Sequence, residues 1–109
     1  MKKGLVYCND LFCGTIIQDD DNKFIFEYTL DWFNDESKPA ISLTMPKTQK
    51  IYQSDILFPF FDGLIPEGYL LELAIRSFGI KANDRMTLLL KTCNNPIGNV
   101  SVKEDLQNE

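Results

Sequence analysis

Histidine is absent from all 109 residues of the chain. That removes the commonest general base and the commonest metal ligand, and with them every Cys-His and Ser-His nucleophile pair. A Ser-Lys pair stays conceivable, but no motif sets a serine beside a lysine. Glycine is scarce as well: the six glycines, at 4, 14, 63, 68, 79 and 98, never make GxGxxG or GxxxxGK[ST]. With no phosphate-cradling loop and no HRD-like or DFG-like element, phosphoryl-transfer chemistry is outside the reach of these residues. Basic residues are the minority, 11 Lys and Arg against 16 Asp and Glu, for a net charge of −5. Such a surface repels phosphate backbones, so no direct contact with nucleic acid is expected. Long apolar runs are missing too. Nothing approaches the ~18 residues of a membrane span, and GLVYC (4–8) is broken at Asn9-Asp10, well short of a signal-peptide core. Phe12-Cys13 makes a poor lipoprotein cleavage site, since small residues are wanted before the cysteine. Three cysteines, an odd number, argue against a disulfide scaffold and for a reducing compartment. A cytoplasmic location is the expectation.

What is present describes one ordinary domain. Apolar residues make up 44% of the chain and charged residues 25%, as in soluble globular proteins. GLVYC and LFCGTII (11–17) flank Asn9-Asp10, a pair that tolerates positive φ and suits a two-residue hairpin turn. After a turn over Gln18 to Asn22, KFIFEYT alternates, with Phe24, Phe26 and Tyr28 on one face and Lys23, Glu27 and Thr29 on the other. DWFNDESKP (31–39) reads as a polar connection, Ile41 to Thr44 as a short fourth strand, and Pro46 to Ser54 as a polar loop anchored by Tyr52. A helix over 66–78 is followed by a second, with Asn83 as its N-cap, Asp84 in its first turn and Met86, Leu89 and Leu90 as its apolar stripe. Asn94-Asn95-Pro96 stops that helix. IGNVSV (97–102) reads as a returning strand. The expected fold is α+β: an antiparallel meander or barrel-like sheet, with two helices before the returning strand. Residues 1–102 form the single domain and 103–109 a polar tail.

Metal and cofactor sites are not expected. In the predicted hairpin Cys8 opposes Leu11 and Cys13 opposes Val6, so the two thiols do not converge, and a fourth ligand is missing. Buried small hydrophobes are the favoured reading of the cysteines. Asp19-Asp20-Asp21-Asn22 lacks the glycine and distal glutamate of a calcium loop and reads as a solvated turn. No small-molecule ligand is implied by any motif.

The most informative stretch is FPFFDGLIPEGYLLELAIRSFGI, residues 58–80. Pro59, Phe60 and Phe61 make a rigid apolar plug, and Asp62-Gly63 a tight turn. Pro66 suits the first position of a helix, and Gly79 the left-handed residue that closes it. Phe60 and Phe61 are read as core before partner contact, since most aromatics of a small domain are buried. Glu67 falls in the first helical turn, where a carboxylate meets the positive helix end. Gly68 there costs about 1 kcal/mol against alanine, which suggests close approach by another backbone. On a helical wheel Leu70, Leu71, Ala74, Ile75 and Phe78 span the buried arc, with Leu73 at its edge. Tyr69 lies opposite, beside Glu72 and Arg76. It is a candidate anchor for a partner pocket, the alternative being a tyrosine lying flat on its own surface.

PFFDGLIPEG followed by a hydrophobic helix, Asp84 and Leu88-Leu89-Leu90 resembles the N-terminal subdomain of HipA-type serine/threonine kinases, the toxins of bacterial toxin–antitoxin systems. Tyr7, Cys13-Gly14, the Phe24/Phe26/Tyr28 alternation, Trp32, Ala40 to Leu43 with Pro46, and Ile97-Gly98 fit the same pattern. The resemblance runs from about residue 4 to residue 102, and PFF…PEG is its specific part. In that family the subdomain precedes a kinase core in one polypeptide, whereas this chain stops at Glu109 before any kinase element.

The resemblance implies a non-catalytic regulatory subunit, not an enzyme, that binds a separately encoded HipA-type kinase core and acts as its antitoxin. The other reading it allows is a structural or substrate-docking subunit that completes the toxin. It also favours contact over a resting tyrosine at Tyr69. The expected partner-binding residues are Tyr69, Glu67, Gly68, Glu72, Arg76 and Phe61. The family's wider context adds a helix-turn-helix DNA-binding protein as a further partner of the complex.

Overall fold

Asn9 and Asp10 take left-handed backbone angles, φ 51° and 66°, as a two-residue hairpin turn requires. They join β1 (Lys2–Cys8) to β2 (Leu11–Gln18), with Cys8 opposite Leu11. The computed structural model describes residues 1–94 and 99–105. A second turn, with Asn22 at φ 61° and the Asp19 carboxylate accepting from the N–H groups of Asp21 and Lys23, leads into β3 (Phe24–Tyr28). Phe24, Phe26 and Tyr28 are all buried, on the face that their alternation predicts.

Two further strands complete an antiparallel sheet of order β4-β3-β2-β1-β5, where β4 is Ile51–Ser54 and β5 is Val100–Glu104. The fold is α+β, as expected. Among the described residues no ladder joins β4 to β5, so the sheet is open and not barrel-like. The fourth strand lies ten residues later than the sequence suggests, at Ile51 where Ile41 was expected. Ile41 and Met45 are buried, but the segment between them is a turn with Leu43 fully exposed. Tyr28 explains this: its hydroxyl accepts from the Ile41 N–H at 3.1 Å and donates to the Met45 carbonyl. Backbone groups that a strand would have paired are satisfied by a side chain instead.

Among the described residues there are four helices, not two: α1 (Leu30–Asn34), α2 (Pro59–Asp62), α3 (Gly68–Phe78) and α4 (Arg85–Thr92). Thr29 caps α1, its hydroxyl accepting from the Trp32 N–H at 3.2 Å. Asp84, not Asn83, caps α4, accepting from the Thr87 N–H at 3.2 Å while Lys2 reaches its carboxylate at 3.0 Å. Helix α4 ends at Thr92 with Cys93 as its C-cap; Asn95-Pro96 and Ile97-Gly98 lie outside the described residues. Strand β5 runs through Glu104, two residues into the segment read as a tail.

Helix α4 packs on β1 and β5, and α2 touches α4. The Phe61 ring lies 5.6 Å from Phe26. Val6, Cys8, Cys13, Ile16, Phe26, Tyr28 and Val102 thus meet Phe61, Ile65, Met86, Leu88 and Leu89 in one core. Helix α3 lies outside this layer and rests on α4.

Candidate functional site

The segment that carries α3 begins with the plug. Pro59 occupies the first turn of α2, the role expected of Pro66, and Gly63 N–H closes that helix on the Pro59 carbonyl at 2.9 Å. Phe58 and Phe61 are buried and Phe60 is half-buried, its ring 5.3 Å from Phe61. Phe61 is 0% exposed, so it belongs to the core and is corrected out of the partner-binding set. The plug is a piece of the protein's own interior.

Pro66 precedes α3, which starts at Gly68 with Glu67 as an N-cap of extended backbone (φ −117°) whose side chain accepts no capping hydrogen bond. Glu67 therefore stands before the first turn, not in it. Gly68 has φ +61°, and a Cβ built on it would meet nothing within 4 Å. Its reason is the left-handed angle that turns the chain into the helix, and not the close backbone approach expected. The other end agrees with the sequence: Gly79 closes α3 at φ 63°, its N–H on the Ile75 carbonyl.

On α3 only Ala74 is fully buried, flanked by the half-buried Leu71 and Ile75. Tyr69 is 72% exposed, on the outward face where the wheel puts it. Leu70, at 61%, and Phe78, at 55%, were expected inside and are not, and Leu73 at the edge is 40% exposed. Tyr69 has Glu72 and Leu73 as its neighbours three and four residues on, and Leu70 has Leu73 and Ala74. The outer face is therefore an apolar strip of Tyr69, Leu70 and Leu73, bordered by Glu72 and Arg76. Among the described residues no ion pair joins Glu72 to Arg76. Both heads stay free for an external partner.

Leu70 and Phe78 were missed although the sequence contains their signal. The apolar positions 70, 71, 73, 74, 75 and 78 cover roughly 200° of the wheel, about twice the stripe that one supporting neighbour needs. A helix lying on a single element leaves the surplus in water. The remaining expected site residues, Glu67, Gly68, Tyr69, Glu72 and Arg76, are all exposed on or beside α3.

Chemistry of other kinds is poorly served. Among the described residues no three His, Cys, Asp or Glu side chains are placed to hold a metal ion. The three cysteines are free and buried. Val6 pairs with Gly14 and Tyr7 with Phe12, so Cys13 is the extra residue of a β-bulge and not, as expected, the partner of Val6. The bulge turns Cys13 into the core with Cys8. Burial first, and the neighbouring Cys8 second, push its thiol up to about 12. Among the described residues no helix is long and apolar enough to cross a membrane.

Comparison with known proteins agrees with this architecture. The family model described as HipA N-terminal domain matches residues 4–103. A protein of Haemophilus influenzae named only as uncharacterised is 32% identical over 107 residues, covering 98% of this chain and 96% of its own length. A solved structure titled N-terminal domain of HipA toxin superposes with a TM-score of 0.74 at 26% identity, over 96% of this chain and 93% of that one.

Proposed function

We propose, from the premise that this chain belongs to the HipA N-terminal domain family, that it is a non-catalytic subunit which binds a HipA-type serine/threonine kinase core and neutralises it. One observation carries the reading: the apolar strip Tyr69, Leu70 and Leu73 on the outer face of α3, with Tyr69 72% exposed. A soluble domain does not keep an aromatic and two leucines together in water without a use for them. Tyrosine is among the residue types enriched at binding hot spots. The left-handed Gly68 fixes the helix start, so little ordering entropy is lost when Tyr69 enters a partner pocket. Glu72 and Arg76 supply the polar rim.

Neutralisation is the sense of regulation that follows from occupancy. A chain without histidine or a phosphate loop acts on a kinase by covering or bracing it, and covering the cleft stops turnover. Partnership with a helix-turn-helix DNA-binding protein in the same complex belongs to this reading, the acidic chain itself touching no DNA. The test is co-expression with a HipA-type kinase core that lacks this domain. Growth is expected to be restored by the wild-type chain and not by a folded Tyr69→Ala variant. Toxicity that appears only when both proteins are made would reverse the sign and make this chain a completing subunit.

A further inference from the structure

The charges on α3 are placed about its midpoint. Leu73 is the sixth of the eleven residues from Gly68 to Phe78. Tyr69, Leu73 and Ser77 follow one ridge at successive i, i+4 positions, and Glu72 and Arg76 follow the flank beside it. All five are exposed. The flank therefore carries an acid just before the midpoint and a base just after it. Among the described residues neither is in an ion pair.

A half-turn about an axis across the helix at Leu73 reverses that order. An antiparallel second α3 lays the same flank alongside, with its base towards the acid of the first. At 1.5 Å per residue, Arg76 of the second copy comes within about 1.5 Å along the axis of Tyr69 and about 3 Å of Glu72. Its guanidinium pairs with the carboxylate while lying on the tyrosine ring. Leu73 meets Leu73 at the centre, and the small Ser77 of the second copy lies level with Tyr69, so the helices close without a clash there. Every contact is made twice, as a two-fold interface requires.

We propose that the free chain forms a two-fold dimer through the outer face of α3, the second copy covering the strip of Tyr69, Leu70 and Leu73. A seam of eleven residues is about 16 Å long, too short to bury the ~1,200 Å² of a stable specific interface. The dimer is therefore weak and concentration-dependent. The regulatory consequence rests on the proposed function: dimer and kinase complex use one face, so each excludes the other. Nucleic acid does not fit this face, because Glu72 stands beside its one cation and the chain as a whole is acidic.

Sedimentation equilibrium of the whole protein over a range of concentrations is the test. The wild-type chain is expected to pass from monomer to dimer. Glu72→Lys makes the flank wholly basic and Arg76→Glu makes it wholly acidic, so each alone should weaken self-association about tenfold or more. Mixed in equal amounts, the two variants should associate again, and more tightly than the wild type, because acids and bases then alternate along the seam. That rescue is beyond a variant that has merely lost its fold. A wild-type chain that stays monomeric, a dimer indifferent to both substitutions, or a mixture that does not recover would each overturn the proposal. No kinase enters these measurements, so they succeed or fail apart from the proposed function. Added to the dimer, a HipA-type kinase core that lacks this domain should yield a complex with one copy of the chain per kinase, and a complex that retains the α3 dimer would overturn the exclusion.

Discussion

Tyr28 does more than fill space in the core. It is 0% exposed, yet its hydroxyl serves the Ile41 N–H and the Met45 carbonyl, and so folds the segment between them onto the sheet. Tyr28→Phe keeps the ring and leaves both backbone groups without that partner, which should cost about 1–3 kcal/mol. Denaturant unfolding measures it, and an unchanged midpoint would mean that the segment holds its shape without the hydroxyl. The buried thiols make a second statement at this scale. Burial raises Cys8, Cys13 and Cys93, Cys13 to about 12. A group whose folded pKa is raised contributes stability that is complete below its unfolded value, about 8.5 for a thiol, and is lost as pH climbs from there towards the folded value. Stability should therefore decline between about pH 8.5 and pH 12. Below that window the folded thiols stay protonated, so iodoacetamide at mildly alkaline pH should label them only as fast as the protein opens. Labelling at the rate of a free cysteine in native buffer would contradict this.

Helix α3 depends on two glycines for its ends, and Gly68 also aims Tyr69. An alanine at φ +61° carries a left-handed penalty of about 1–2 kcal/mol. Gly68→Ala should lower the melting temperature although its Cβ touches nothing, and a variant as stable as the wild type would show that the helix can start by another path. The elements differ in how far the sequence discloses them, for physical reasons. Phe24, Phe26 and Tyr28 declare β3 because one face is buried. The β1–β2 turn is declared by two residues that tolerate positive φ. Strand β4 is disguised: at the sheet edge its outward residues Ile51 and Gln53 are exposed, so no apolar alternation marks it. Ile41 and Met45 imitate a strand because Tyr28 draws them in. The proline signal for a helix start is real but belongs to Pro59, which opens α2. The outward position of Tyr69 follows from its phase. The exposure of Leu70 and Phe78 does not, because a helical wheel says which residues share a side and not how many sides are covered.

At the scale of the molecule, an acidic α+β domain stacks a five-stranded sheet, the α2 and α4 layer and then α3. Its core is complete without the outer face of α3, so that face is available to a partner. Under the proposed function the partner is a HipA-type kinase core, and the strip of Tyr69, Leu70 and Leu73 is the proposed place of contact. The most direct test is a calorimetric titration of a HipA-type kinase core that lacks this domain with the wild-type chain and with Tyr69→Ala, each first shown to be folded by its melting curve. Truncating an exposed tyrosine should change stability by no more than about 0.5 kcal/mol. It should weaken binding by ~2 kcal/mol, a loss of about thirtyfold in affinity. Equal affinity of a folded Tyr69→Ala chain for the kinase would contradict the account.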